Sequence, residues 1–405
     1  MPVFRYSAID QGGRPFAGTL DAENSEAVRS LLAQKRYHIV NIDEVAAGNT
    51  QVADFMKSFS RVKLSELVVF SRQFATMIDA GLSVLKCLDI LQRQTKDPVL
   101  KEALGIIRHD VHSGASLTEA MAKHPRCFSK LYVNMIRSAE AGGILDQVLD
   151  RLATFMENDL EMRNKVRSAM MYPTVVMVFA ILVMGVMMWW VLPQFQKIFM
   201  DMGITKLPMS TAIMLGLAMY SKKYWFGIPI TVIGVIVGLT LYRRTQSGAL
   251  HLDEIKLKMP LVGDILIKLA ISRFARTFGT LISSGVPVLR ALEITTDTAG
   301  NMAVAQVIER SRMSVKEGEK ISDPLQNSQL FPVMVTQMIS VGEETGRLDQ
   351  MLIKISDFYD AEVDSTLKGI ASLIEPVMIV GLGVMVGFIA ISVITPIYTL
   401  VGGIK

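Results

Sequence analysis

The sequence predicts a mainly α integral membrane protein. It has two duplicated cytoplasmic helical-bundle domains of about six helices each, three transmembrane helices and a small N-terminal α/β unit. Half of the 405 residues are hydrophobic while 20% are charged, so apolar and polar residues must occupy separate segments. Residues 136–173 recur as 339–376. Glu140, Gly143, Leu145, Asp146, Gln147, Leu149, Phe155 and Pro173 align without gaps with Glu343, Gly346, Leu348, Asp349, Gln350, Leu352, Phe358 and Pro376. Each copy ends at a proline that opens an apolar run free of charge.

The first unit, residues 1–50, reads as strand, turn, strand, helix, strand and linker. Alternation marks strands at 3–9 and 14–20, with Gln11-Gly12-Gly13 between them. Ser25 suits a helix cap ahead of Ala27, Val28, Leu31 and Leu32, and 37–42 returns as a strand. So small a unit buries little core and suits docking better than chemistry. Met1-Pro2-Val3-Phe4-Arg5-Tyr6 shows no basic stretch followed by an apolar one, so a cytoplasmic head is expected.

The first bundle domain spans 51–172. Gly81, Asp97-Pro98, Gly114, Pro125 and Gly142-Gly143 punctuate it. Between them, Leu67, Phe70, Phe74 and Met77, then Val84, Leu85, Leu88 and Leu91, then Leu100, Leu104, Ile107 and Val111 recur at helical spacing. Short connections between such segments specify a compact bundle. The second bundle domain spans 243–375, and its repeat begins at Ser272. Phe70, Arg72, Phe74, Thr76, Ile78 and Gly81 match Phe274, Arg276, Phe278, Thr280, Ile282 and Gly285, and Cys127-Phe128 matches Leu330-Phe331 after the loss of one residue.

Three segments, 173–192, 224–242 and 376–403, are uncharged and long enough to cross a bilayer. Residues 209–220 are apolar but too short, and read as an interfacial or re-entrant helix. Gly381, Gly383 and Gly387 suggest close helix contact in the last span. Arg163, Lys165 and Arg167 before the first span and Arg243 and Arg244 after the second favour the cytoplasm for both bundles, although Lys222 and Lys223 weaken that count. Two copies separated by two spans must share a side, which leaves 193–223 as a loop on the other. A helix from residue 145 to the end of the first span would be roughly 70 Å long and would carry motion from bundle to membrane.

Several chemistries find no support. The net charge of +4 and the lack of a basic block do not point to nucleic acid. Cys87 and Cys127 form no zinc or disulfide pattern. No phosphate loop occurs, since the glycines near 142 and 346 lack the lysine it needs. No catalytic residue and no cofactor is expected, so the chain reads as not an enzyme. His109 and His112 stand three apart on a helix without a third ligand. The spans hold no ionisable residue, which disfavours ion or proton transport.

Glu140, Asp146, Glu343 and Asp349 form the sharpest polar coincidence. They suit either a cation or basic-partner site or plain helix architecture, in which a glycine closes one helix and an aspartate sits in the first turn of the next. The architectural reading is favoured. Gly143, Gly346, Tyr172, Pro173, Glu375 and Pro376 are the candidate coupling residues, because they set where each long helix leaves its bundle and where it meets lipid.

These residues together resemble the inner-membrane platform protein shared by type II secretion systems and type IV pili, the GspF/PilC-like family. The resemblance rests on Phe4-Arg5-Tyr6, on Gly342 to Leu348, on Tyr172-Pro173, on Pro193-Gln194-Phe195 and on Ile374-Glu375-Pro376. The first copy reads Ala139-Glu140-Ala141-Gly142-Gly143, departing from the fuller glycine-glutamate pattern of the second. The resemblance implies a non-enzymatic platform in the bacterial inner membrane, with 193–223 periplasmic. Its implied partners are a cytoplasmic secretion or assembly ATPase, pilin or pseudopilin subunits, other inner-membrane assembly proteins, membrane lipid and further copies of itself. A transporter or channel component is the alternative, and it would require polar residues or broken helices at mid-membrane. A receptor would need a larger outer domain than a loop of about thirty residues.

Overall fold

The computed structural model describes residues 3–9, 15–22, 25–34, 38–45, 62–201, 212–213, 216, 219–220, 223–224 and 226–402. The turn at 11–13, the linker at 46–50 and most of the 209–220 segment lie outside them. At the N-terminus, β1 (Val3–Ile9) lies between β2 (Pro15–Asp21) and β3 (His38–Val45), antiparallel to both. Between β2 and β3 runs α1 (Ser25–Gln34), on which Val28 and Leu32 are buried.

Six helices follow: α2 (Leu64–Asp79), α3 (Val84–Gln94), α4 (Pro98–His112), α5 (Leu117–Ala122), α6 (Lys130–Gly142) and α7 (Leu145–Val186). Their starts are written in the sequence. Asp97 accepts hydrogen bonds from the amides of Val99 and Leu100 beside Pro98, and Ser116 forms a reciprocal capping box with Glu119.

Beyond α7, a π-turn at Met187–Val191 leads into α8 (Leu192–Asp201), so the chain stays helical past residue 192, where the sequence suggests a loop. Pro193 has no amide hydrogen, and its ring would press on the carbonyl four residues back in an α-helix. The wider turn, in which the Leu192 amide donates to the Met187 carbonyl, lets the helix continue.

After α9 (Gly227–Arg244) and α10 (Gln246–Lys258), six helices repeat the first set: α11 (Val262–Ser283), α12 (Val288–Thr298), α13 (Met302–Lys316), α14 (Ser322–Gln326), α15 (Val333–Thr345) and α16 (Leu348–Gly402). Ser272 lies inside α11, whose first turns precede the recognisable repeat. Pro173 and Pro376 sit within α7 and α16 and end neither helix. At about 80 Å, α16 is longer than an ordinary bilayer is thick.

The two copies pack alike. Phe70 and Phe74 have ring centroids 5.7 Å apart, Phe274 and Phe278 5.8 Å, both pairs tilted by 32°. Phe128 closes the first cluster against Phe70 at 5.9 Å, and Phe331 the second against Phe274 at 5.4 Å. The buried residues of both copies also form one contiguous core. Across the seam, Lys130 pairs with Asp297 at 2.7 Å and Arg151 donates to the Ser283 carbonyl.

Two helical stretches among the described residues are long and apolar enough to cross a membrane, Leu145–Phe195 and Leu348–Ser392; a shorter apolar stretch covers Ile230–Arg243. Their apolar faces are largely exposed, as at Val175, Phe179, Ile181, Val377 and Val384. The two long stretches meet where Leu192 and Ile389 bury each other's surface beside Met187, Met188 and Met385.

Candidate coupling site

The repeated glycines make the elbows. Gly143 (φ 66°, ψ 22°) ends α6 and Gly346 (φ 67°, ψ 19°) ends α15, both left-handed, a conformation that costs a residue with a Cβ roughly 1 kcal/mol. The next amide then bonds five residues back, Ile144 to the Ala139 carbonyl at 3.1 Å and Arg347 to the Gly342 carbonyl at 2.9 Å. This double closure satisfies the last carbonyls and reverses the chain into the long helix.

The repeated glutamates hold the short helices. Glu140 accepts from the amides of Leu117 (2.7 Å) and Thr118 (3.0 Å) and from the Thr118 hydroxyl, at the start of α5. Glu343 accepts from the amides of Ile321 (2.7 Å) and Ser322 (3.1 Å), at the start of α14. A carboxylate thus meets unpaired amides and the positive end of a helix dipole in both copies. The aspartates take another place: Asp146 is exposed and Asp349 half-buried, each in the first turn of its long helix. Among the described residues, no group of three or more His, Cys, Asp or Glu side chains is arranged to hold a metal ion.

A third repeated feature is a clamp between the first helix of each bundle and the long helix. Arg72 donates from Nε and Nη2 to the two oxygens of Glu157, and from Nη1 to Asp150. The hydrogen bond from Glu157 holds Arg72 above its ordinary pKa, and Arg72 in turn holds the Glu157 carboxyl below the usual carboxylate range. At the aligned positions, Arg276 pairs with Asp360, while its Nε donates to Ser356 at 3.0 Å. Ser272 also donates to Asp360. The signal was present, since Arg72 and Arg276 fall inside a matched motif and Glu157 and Asp360 share the repeat spacing. In the sequence the two arginines serve only to align the copies.

The remaining candidate coupling residues lie further along the long helices. Tyr172 is 58% exposed beside Pro173, and Glu375 is exposed beside Pro376. They stand 29 or 30 residues beyond the elbow glycines, well past the clamped base of each long helix.

Comparison with known proteins follows the same division. The family described as type II secretion system (T2SS), protein F matches twice, over residues 70–193 and 274–396, and the family described as type II secretion system protein F, N-terminal domain matches residues 1–43. The chain is 39% identical over 402 residues to a type IV pilus assembly protein PilC of Myxococcus xanthus, covering 99% of this chain and 96% of that one. It is 38% identical over 403 residues to a PilC of Thermus thermophilus, covering 99% of both. A type II secretion system protein F of Xanthomonas campestris is 31% identical over 408 residues, covering the whole of each. With both bundles, both long helices and the N-terminal sheet inside these matches, the chain belongs to the type II secretion system protein F family.

Proposed function

We propose that this chain is a non-enzymatic inner-membrane platform of a type IV pilus or type II secretion machine. It couples a cytoplasmic assembly ATPase to pilin or pseudopilin subunits in the membrane. The observation that carries the reading is the full-length likeness to proteins named for pilus assembly and for type II secretion. The physical counterpart is a pair of helices clamped at their bases and continuous into apolar runs. In this reading, residues 173–192, 224–242 and 376–403 span the membrane, and the N-terminal unit and both bundles (51–172 and 243–375) face the cytoplasm. Residues 193–223 form the outer loop, and several copies assemble with the other inner-membrane proteins. Gly143, Gly346, Tyr172, Pro173, Glu375 and Pro376 set the exit angles and boundaries of the moving helices.

Reconstitution of the purified chain with candidate assembly ATPases tests this. Binding of an ATPase, or a rise in its hydrolysis rate, is the expected result. Absence of both across the ATPases of the same cell would overturn the coupling role.

A further inference from the structure

A groove of about 560 Å³ runs along α7 from Asp159 to Val175 and is closed on its other side by Leu269 and Arg273 of α11. At 1.5 Å per residue it covers roughly 24 Å of helix and straddles Pro173. Its lower part presents Arg163, Arg167 and Arg273 against a single carboxylate, Asp159, which Arg163 engages at 2.9 Å. Among the described residues, Arg167 and Arg273 enter no ion pair. Its upper part is apolar, with Met170, Met171 and Val175, the last two more than half exposed.

The second copy lacks counterparts of Arg163 and Arg167, and Lys268, which donates to Thr366 there, is already paired with Asp264 and Glu362. The positions aligned with Arg163 and Arg167 are Thr366 and Ile370, and the approach to Pro376 carries Asp364, Lys368 and Glu375 instead. Cationic side chains below an apolar wall, at the depth where a helix becomes lipid-facing, complement a phosphodiester joined to acyl chains.

We propose that this groove binds one anionic phospholipid of the cytoplasmic leaflet. The phosphate lies among Arg163, Arg167 and Arg273, and the acyl chains follow Met170, Met171 and Val175. The proposal rests on the reading of Pro173 as the membrane boundary. It gives the first long helix a lipid anchor that the second does not have.

The test uses the full chain in vesicles of phosphatidylcholine with a minority of phosphatidylglycerol. After extraction in mild detergent, lipid retained per chain is read by native mass spectrometry. The unaltered chain retains phosphatidylglycerol in preference to phosphatidylcholine, and R163Q/R167Q lowers its affinity by roughly tenfold or more. R167Q alone lowers it in the same direction without breaking an ion pair. K165Q/K368Q removes equal charge at equal distance from the two prolines, outside the groove, and leaves retention near that of the unaltered chain. Equal losses in both double variants would assign the effect to diffuse surface charge and overturn the proposal, as would unchanged retention in R163Q/R167Q. Displacement by inorganic phosphate alone would overturn it in favour of a free-anion site. No assembly partner enters the measurement, so failure of the platform reading would leave its outcome unaltered. Cysteine accessibility at residue 168 checks the boundary separately.

Discussion

Arg72 meets Glu157 through two parallel hydrogen bonds, Nε to Oε1 at 2.7 Å and Nη2 to Oε2 at 2.6 Å, and so ties the first helix of the bundle to the base of the helix that leaves it. Both side chains remain more than one-third exposed, which screens the pair. A double-mutant cycle of Arg72→Ala with Glu157→Gln is expected to give a coupling of about 0.5–1 kcal/mol in chemical denaturation. Because Arg72 depresses the Glu157 pKa, this stabilisation is complete at neutral pH. It is lost as pH falls below the ordinary carboxylate range and through the depressed folded value. A coupling that stays constant down to strongly acid pH would show that charge is not its source.

Glu140→Ala and Glu343→Ala are each expected to destabilise the protein by about 1–2 kcal/mol, since each leaves two helix-start amides without their carboxylate. Added magnesium or calcium should not alter the loss. Thermal melting in detergent, with and without the ions, reads both effects; a melting point of the unaltered chain that rises with either ion and does so in neither variant would restore the cation reading.

Gly143→Ala and Gly346→Ala each cost about 1 kcal/mol or more, and the corresponding asparagine variants cost less. A Cβ at either position meets nothing within 4 Å, so the penalty is conformational and not steric. Equal melting points for the alanine and asparagine variants would contradict this.

Burial pushes the Cys127 thiol up to about 11, with Asp97 adding to the shift. At pH 8 only on the order of one thiol in a thousand is ionised, so alkylation by iodoacetamide is expected to be far slower than in the denatured chain. Rapid labelling of the folded protein would place Cys127 at the surface.

A flexible glycine insertion near Ser168 separates the first clamped base from the apolar run that follows Pro173. The expected outcome is normal membrane insertion with loss of pilus or pseudopilus assembly, scored by fractionation and by assembled fibre. Unimpaired assembly would show that the first long helix transmits nothing.

Much of this architecture is legible along the chain because it is local. Gly143 and Gly346 mark turns that need a left-handed residue, and apolar spacing marks each bundle helix. The role of Glu140 is not local, because its partners Leu117 and Thr118 stand more than twenty residues earlier and meet it only after α5 folds back on α6. The helix through Pro173 is legible too, as one run from residue 145, but its continuation past Pro193 is not, because it is carried by a π-turn whose i to i−5 bond no residue pattern announces. The shared core also escaped, since each copy reads as a complete bundle while Lys130, Asp297, Arg151 and Ser283 join them only in three dimensions.

That shared core sets the geometry of any stroke. Buried contacts with the bundles hold α16 as far as Leu367, leaving 35 residues to Gly402 as an arm of about 52 Å that is buried again at Ile389, against Leu192, and at Ser392. A tilt of about 5° in the common body sweeps the tip of that arm through about 4.5 Å, close to one helical turn. Because α7 is rooted in the same body, its tip must sweep in concert, and the contact between Leu192 and Ile389 travels with both.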